Sequence, residues 1–361
     1  MFSRSIGKHG SARLSSRALL FTVACTVAAI ALAGCSSTST GAKPSASAGT
    51  SASTSGSAHT IKLSMANSNT SSEYKMAQQF GKALAKDSGG KLTVDIFPAS
   101  QLGPVGSEIE GVRSGSIQAI AMSGLDSVIP SVDVAALPYM FTSMDEAQKV
   151  LNSSDMQSVL WSKFASFNLK VVGTWPVGDF GIMTTKSGID DLAALKGERI
   201  RVVSPLVSTP LLSAWGVNPT PVDSTQVLTS LSTGLVDGVF DPADPITSQG
   251  WQQYGKSFVE TDSIYNFNPV VFSQKFLDSL TAGQRADITN AFAQTLPYAN
   301  TVYAQDKATA IATLKSSGVK IYTPNLASFK SAAKAAEPAW DKSFGAALIK
   351  QVRAVAAKQA K

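Results

Sequence analysis

Two periods alternate along the first half of the chain. Ile61-Lys62-Leu63-Ser64-Met65 alternates polar and apolar positions and predicts a strand. Ser71 to Asp87 reads as an amphipathic helix, with Tyr74, Phe80 and Leu84 on its apolar side, and Gly89-Gly90 ends it. Leu92 to Phe97 predicts a second strand. A helix from about Gly106 to Gly115 follows, and Ile117 to Met122 forms a third strand. Ser143-x-x-Glu146 has the form of a capping box and predicts a helix to about Phe167, with a strand from Lys170 to Thr174 after it. Further on, Thr281-x-x-Gln284 caps an unusually long helix, to about Ser317. A last helix, Asn325 to Ala336, is expected to stop at Pro338.

The stretch from Leu195 to Pro242 carries the densest pattern. Arg199-Ile200-Arg201-Val202-Val203 predicts a short strand that stops at Pro205. A helical run leads to Asn218-Pro219-Thr220-Pro221. A second helix, about Ser224 to Thr233, ends at Gly234, and Val236 to Phe240 is a buried strand. Strand and helix in alternation predict an open parallel α/β sheet, in which small ligands bind beyond the carboxyl ends of the strands. Arg199 and Arg201 share one strand face, and Arg201 is nearer the carboxyl end. A guanidinium there matches a carboxylate with two parallel hydrogen bonds. On the residues alone an interdomain or surface ion pair is the commoner reason for such a charge. The run Val112 to Ile120 can be laid on Leu231 to Val239, both reading as helix, glycine stop and buried strand. This echo points to two similar α/β lobes with a cleft between them.

The 361 residues suffice for one or two domains. The formal charge of +6 includes Arg4, Lys8, Arg13 and Arg17, which precede an apolar run from Ala18 to Ala33. That layout is a signal peptide, residues 1–34, and its removal leaves a nearly neutral chain that nucleic acid would not attract. Leu32-Ala33-Gly34-Cys35 resembles the bacterial lipobox, which implies a diacylglycerol on the Cys35 thiol. An ordinary signal peptide with an incidental cysteine is the alternative. Residues 35–58 are rich in Ser, Thr, Ala and Gly and form a flexible tether. Both cysteines, Cys25 and Cys35, and both histidines, His9 and His59, precede Thr60, where the folded part is placed. Disulfides, thiol or histidine catalysis and zinc sites are thus not expected, and neither is any cofactor.

Several motifs, in order, carry a resemblance to a known family. They are Ser88 to Gly103, Glu110-Gly-Val-Arg-Ser-Gly115, Ala136-Leu-Pro-Tyr139, Leu195 to Val202, Gly216-Val-Asn-Pro-Thr-Pro221 and Val236-Asp-Gly238. The chain resembles the solute-binding proteins of TRAP transporters, the DctP-like family, from Ile61 to about Phe344. The resemblance implies a periplasmic-binding-protein-like α/β fold of two lobes, 59–178 with 267–306 and 179–266 with 307–361. A ligand cleft between the lobes and a long helix crossing both are part of it. It also implies a monomer that captures a small organic acid and delivers it to a membrane permease. Arg201 falls on the family's carboxylate-binding arginine, and Ser123, Trp175 and Ser204 fall near pocket positions. Three departures bear on specificity. Gly181 stands at or beside the place of a second arginine, Ser224 replaces a stacking Phe, and Asp241 introduces a carboxylate. Asp241 is expected to meet a donor or cation at the far end of the ligand, as a zwitterion would supply. Two further readings are a binding protein for an ATP-driven importer and a cell-envelope enzyme using Asp237, Asp241 and Asp244.

Overall fold

Two long strands organise the computed structural model, which describes residues 56–359. They are β4 (Leu169–Thr184) and β8 (Ser257–Ser273), antiparallel to each other over nearly their whole length. Both are buried along most of that length and carry Val, Ile and Phe, as a strand covered on two faces must. The sequence pattern predicted only the first few residues of β4 and none of β8. Burial on both faces, with polar residues scattered among apolar ones, leaves neither strand the alternation that marks a half-exposed one.

Each long strand carries half of the sheet. On one side lie β1 (His59–Met65), β2 (Leu92–Phe97) and β3 (Ala119–Ala121), with β1 parallel to both neighbours and β3 antiparallel to β8. On the other lie β5 (Arg199–Val202), β6 (Asn218–Pro221) and β7 (Gly238–Pro242). There β5 is parallel to both neighbours and β7 antiparallel to β4. The short β9 (Lys320–Tyr322) pairs with β8. The strand order is β2-β1-β3-β8-β4-β7-β5-β6. The echo in the sequence is real at this level. Gly115 (φ 86°) and Gly234 (φ 70°) both take left-handed backbone, and β3 and β7 follow them.

Most predicted helices are present. Ser72–Asp87 is capped by Ser71, and Val105–Ser114 ends at Gly115. Thr281 and Gln284 form the reciprocal capping box of a helix running Ala282–Ser316. Ile288, Ala291, Phe292 and Val302 of that helix join the core of the first half-sheet, whereas Ala310 and Leu314 join that of the second. The helix therefore crosses between the halves.

Four expectations are corrected. The segment after Ser143 is not one helix; it breaks into Met144–Leu151, Ser154–Val159 and a 3-10 turn at Trp161–Phe167, because Ser153 caps a new start. The Glu146 carboxylate turns to Thr142 and not to Ser143, so only half of that box forms. Pro338 sits in the first turn of a helix and does not end one, since proline's missing N–H costs nothing there, whereas Pro205 opens a helix just after β5 stops, as expected. Finally, β1 begins at His59, so one histidine belongs to the folded part.

After Trp340, whose Nε1 donates to Val207 O at 3.2 Å in the second half, the chain turns at Gly345. The final helix, Ala346–Gln359, lies against the Met144–Leu151 and Ser154–Val159 helices, with Lys358 bonded to Asp155 at 2.7 Å. This end of 307–361 thus lies with the first half, not with the second where the sequence reading put it.

Strand β4 threads between packed rings by means of glycine. A Cβ on Gly181 would come within 2.3 Å of the buried Phe258 ring. Gly181→Ala is expected to destabilise the protein by about 1–3 kcal/mol through overpacking. Urea unfolding would measure it, and an unchanged midpoint would contradict the packing described.

Candidate functional site

The carboxyl ends of the parallel strands point into a single cavity of about 630 Å³. Ala66 and Asn67 follow β1, and Ser123 and Gly124 follow β3. From the other half come Val202, Val203, Pro205 and Leu206 at and after the end of β5, Pro221 to Ser224 at and after the end of β6, and Asp241 near the end of β7. Val177 of β4 and Asn266 and Asn268 of β8 form the floor. The site thus draws on both half-sheets and on the strands that join them, where open α/β sheets place their ligands.

Arg201 is central but hidden. It is 0 % exposed, and its partners, not its own side chain, face the cavity. Nε donates to Val222 O at 2.9 Å and Nη2 to Ser224 Oγ at 3.0 Å. Nη1 pairs with the Asp241 carboxylate. The Trp251 ring lies 5.4 Å from the guanidinium carbon, a favourable place for a cation. Burial pushes the Asp241 carboxyl up to about 6, and the Arg201 charge opposes that rise only in part. Two buried ions each cost several kcal/mol of lost hydration, so this pair is held by its geometry and not by charge alone.

Asp241 was expected at the opposite end of the ligand from Arg201, and that expectation is corrected. Residues 201 and 241 lie on neighbouring strands, and their side chains meet. A second Arg–Asp pair joins the same two segments near the surface, where Arg199 grips Asp237 through Nε at 2.9 Å and Nη2 at 2.8 Å. Asp244 instead accepts from Ser72 N at 3.3 Å and Ser72 Oγ at 3.0 Å, a contact from one half to the other. The three aspartates considered for catalysis therefore have separate partners and form no acid–base pair. Gly181 cannot host a second arginine, because its Cβ position is filled by Phe258.

Ser123 lines the cavity and donates to Asn268 Oδ1 at 2.7 Å. Asn268 Nδ2 in turn donates to Glu73 at 2.7 Å, and Asn67 Nδ2 to the other Glu73 oxygen at 2.9 Å. Glu73 is buried, which pushes its carboxyl up to about 7 against those two hydrogen bonds. It acts as a post that fixes two cavity amides. Ser204 precedes the helix Pro205–Ala214 and lines a small side recess. Trp175 does not reach the cavity. It is fully buried in the first half, stacked on Phe292 at 5.8 Å, with Nε1 directed at Thr295 Oγ1.

The sequence reading missed Asn67, Asp126, Trp251, Asn266 and Asn268. The last two had a signal. Asn266-Phe267-Asn268 places two amides on one face of the strand, just before the apolar Val270-Val271-Phe272. Trp251 follows a glycine in a loop and had none.

Comparison with known proteins agrees with this architecture. The chain is 26% identical over 272 residues to the 2,3-diketo-L-gulonate-binding periplasmic protein of Escherichia coli, covering 74% of this chain and 81% of that one. It is 24% identical over 301 residues to the sialic acid-binding periplasmic protein of Vibrio cholerae, covering 82% and 93%. A TRAP periplasmic solute-binding protein from Bordetella bronchispeptica superposes with a TM-score of 0.77 at 25% identity, over 81% of this chain and 98% of that one. The family description "Bacterial extracellular solute-binding protein, family 7" (DctP) matches residues 63–346. The chain therefore belongs to bacterial extracellular solute-binding protein family 7, a family of transport proteins and not of enzymes.

Proposed function

We propose that this protein captures a small organic acid outside the cytoplasm and passes it to a TRAP-type permease, held at the membrane by a lipid on Cys35. The observation that carries this reading is Arg201, a fully buried guanidinium directly behind the wall of a cavity at the carboxyl end of β5. The relatives named above are described as binding 2,3-diketo-L-gulonate and sialic acid, both acids. The solute carboxylate takes the place of Asp241 on the Arg201 fork, and Ser123, Asn266 and Asn268 offer hydrogen bonds to the rest of the molecule. Residues 59–178 with 267–306, and 179–266 with 307 to about Gly345, act as the two lobes. The β4–β8 register shifts around Pro176/Gly178 and Asp179/Gly181 support a bend between them there.

The lipid attachment rests on Leu32-Ala33-Gly34-Cys35, which lies outside the described residues together with the signal segment and most of the tether. Cys35→Ser is expected to move the protein from the membrane fraction to the soluble one, or to leave it unprocessed. A wild-type protein found unmodified and soluble would end the anchoring idea.

A thermal-shift screen of organic acids tests the ligand class, since a ligand at 100 times its Kd adds about 2.7 kcal/mol of stability. With a ligand in hand, Arg201→Lys keeps the charge and loses the fork, and is expected to weaken binding by roughly ten-fold or more. Binding as tight as wild type would refute the anchor.

Competition with Asp241 also has a pH signature. The group has a raised pKa, about 6, so it is ionised at pH 8 and protonated near pH 5. Protonation weakens its hold on Arg201, while an ordinary ligand carboxylate stays charged. Affinity for a carboxylate is therefore expected to rise several-fold from pH 8 to about pH 5. Asp241→Asn should bind more tightly at pH 8 and lose most of this dependence. Calorimetry at both pH values on both proteins checks it.

A further inference from the structure

The charge around the cavity is opposite to what a site for multiply charged anions needs. Asp126, Asp223 and Asp241 line it, and among the described residues no Lys, Arg or His does. Arg201 behind the wall is already paired with Asp241. Asp223 is likewise occupied, accepting from Thr225 N at 2.9 Å and Thr225 Oγ1 at 2.7 Å.

Asp133, beside Asp126, differs from these, whereas the Asp126 carboxyl accepts from its own and the Ser127 backbone N–H. The two acids sit on successive 3-10 turns, Leu125–Ser127 and Pro130–Ala136, in the first half of the molecule, away from Arg201. Asp133 is only 7 % exposed, and its Oδ2 meets no hydrogen-bond partner among the described residues. It lines a side recess of about 20 Å³ together with Ser204 and Asn266. The recess shares Ser123, Gly124 and Asn266 with the main cavity, so it is a short extension of it. A space of that size accepts about one water-sized group. A primary ammonium fits this description in size, in charge and in its three donors.

We propose that the solute bears a primary ammonium group, seated in this recess against Asp133 and Asp126, in addition to the carboxylate held at Arg201. This inference rests on the carboxylate reading above and narrows it to amino acids in the broad sense. Asp133 supplies the unpartnered acceptor, Asp126 the second negative charge, and Ser204 or Asn266 a neutral oxygen. Burial raises both carboxyls, Asp133 the more, and the Asp126 charge raises Asp133 further. An arriving cation relieves that repulsion, whereas a hydroxyl does not. The recess also separates primary amines from trimethylated ones, which are too large for it. Such a solute spans both halves, with its cation on the first and its anion on the second, and so favours their approach.

The test uses matched acids that differ only in amine against hydroxyl: alanine and lactate, serine and glycerate, 4-aminobutyrate and 4-hydroxybutyrate, 6-aminohexanoate and 6-hydroxyhexanoate. Calorimetry on the purified wild-type protein is expected to show, in at least one pair, an amino acid bound about ten-fold or more tighter than its hydroxy partner. Asp133→Asn is expected to remove most of that ratio. Should Asp133→Asn not fold, Asp126→Asn is read in the same way. Hydroxy or sugar acids bound as well as, or better than, every amine counterpart would overturn the ammonium site and leave the carboxylate reading standing. Failure of every acid of either kind to bind would overturn both.

Discussion

The β4–β8 pairing is the constraint on which the rest depends. Each long strand presents one edge to a half-sheet, β3 on β8 and β7 on β4. Each half-sheet then grows outward by parallel strands with covering helices. Because β3 and β7 hang from opposite edges of one ribbon, the carboxyl ends of both parallel sets converge on its middle. The cavity is a product of that topology before any side chain is specified. Glycines at 173, 178 and 181 let the ribbon pass under Phe292, Pro242 and Phe258, whose atoms occupy the volumes their Cβ atoms would need.

Within that frame, the distribution of charge decides what the site accepts. A buried arginine is common ground with a carboxylate-binding role, yet here it is saturated by its own chain. Asp241, Ser224 and Val222 take up the fork, and Trp251 covers its face. On the proposed reading an incoming anion competes with an internal one, and its affinity would depend on how readily Asp241 yields. The buried Glu73 beneath Asn67 and Asn268 adds another acid to the same region. An excess of carboxyl groups around one cation sets this cavity apart from one built to hold a dianion.

Much of the architecture was legible from periodicity. Helices capped by Ser71 and Thr281, the glycine stops at Gly115 and Gly234, and the strand carrying Arg201 all declare themselves locally. The long strands did not, because burial on both faces erases the alternation by which a strand is recognised. The site was legible at single positions and obscure in its pairings. Arg201 could be placed at a strand end, but its contact with Asp241 depends on β5 and β7 being neighbours. Trp175 has the composition of a binding-site residue and the surroundings of a core residue, and only packing separates the two.

The closing segment of the chain has a mechanical meaning. The halves are joined by two strands and by the helix Ala282–Ser316, and then again where Gly345 carries the backbone from Trp340 on the second half to the final helix on the first. Bodies linked at several separated points lose the freedom to slide or twist past one another and keep one soft rotation. On the proposed two-lobe reading, a motion that admits a solute would be reduced to a single coordinate. Whatever reads the two halves from outside meets surfaces whose relative orientation reports one variable: how far that rotation has gone.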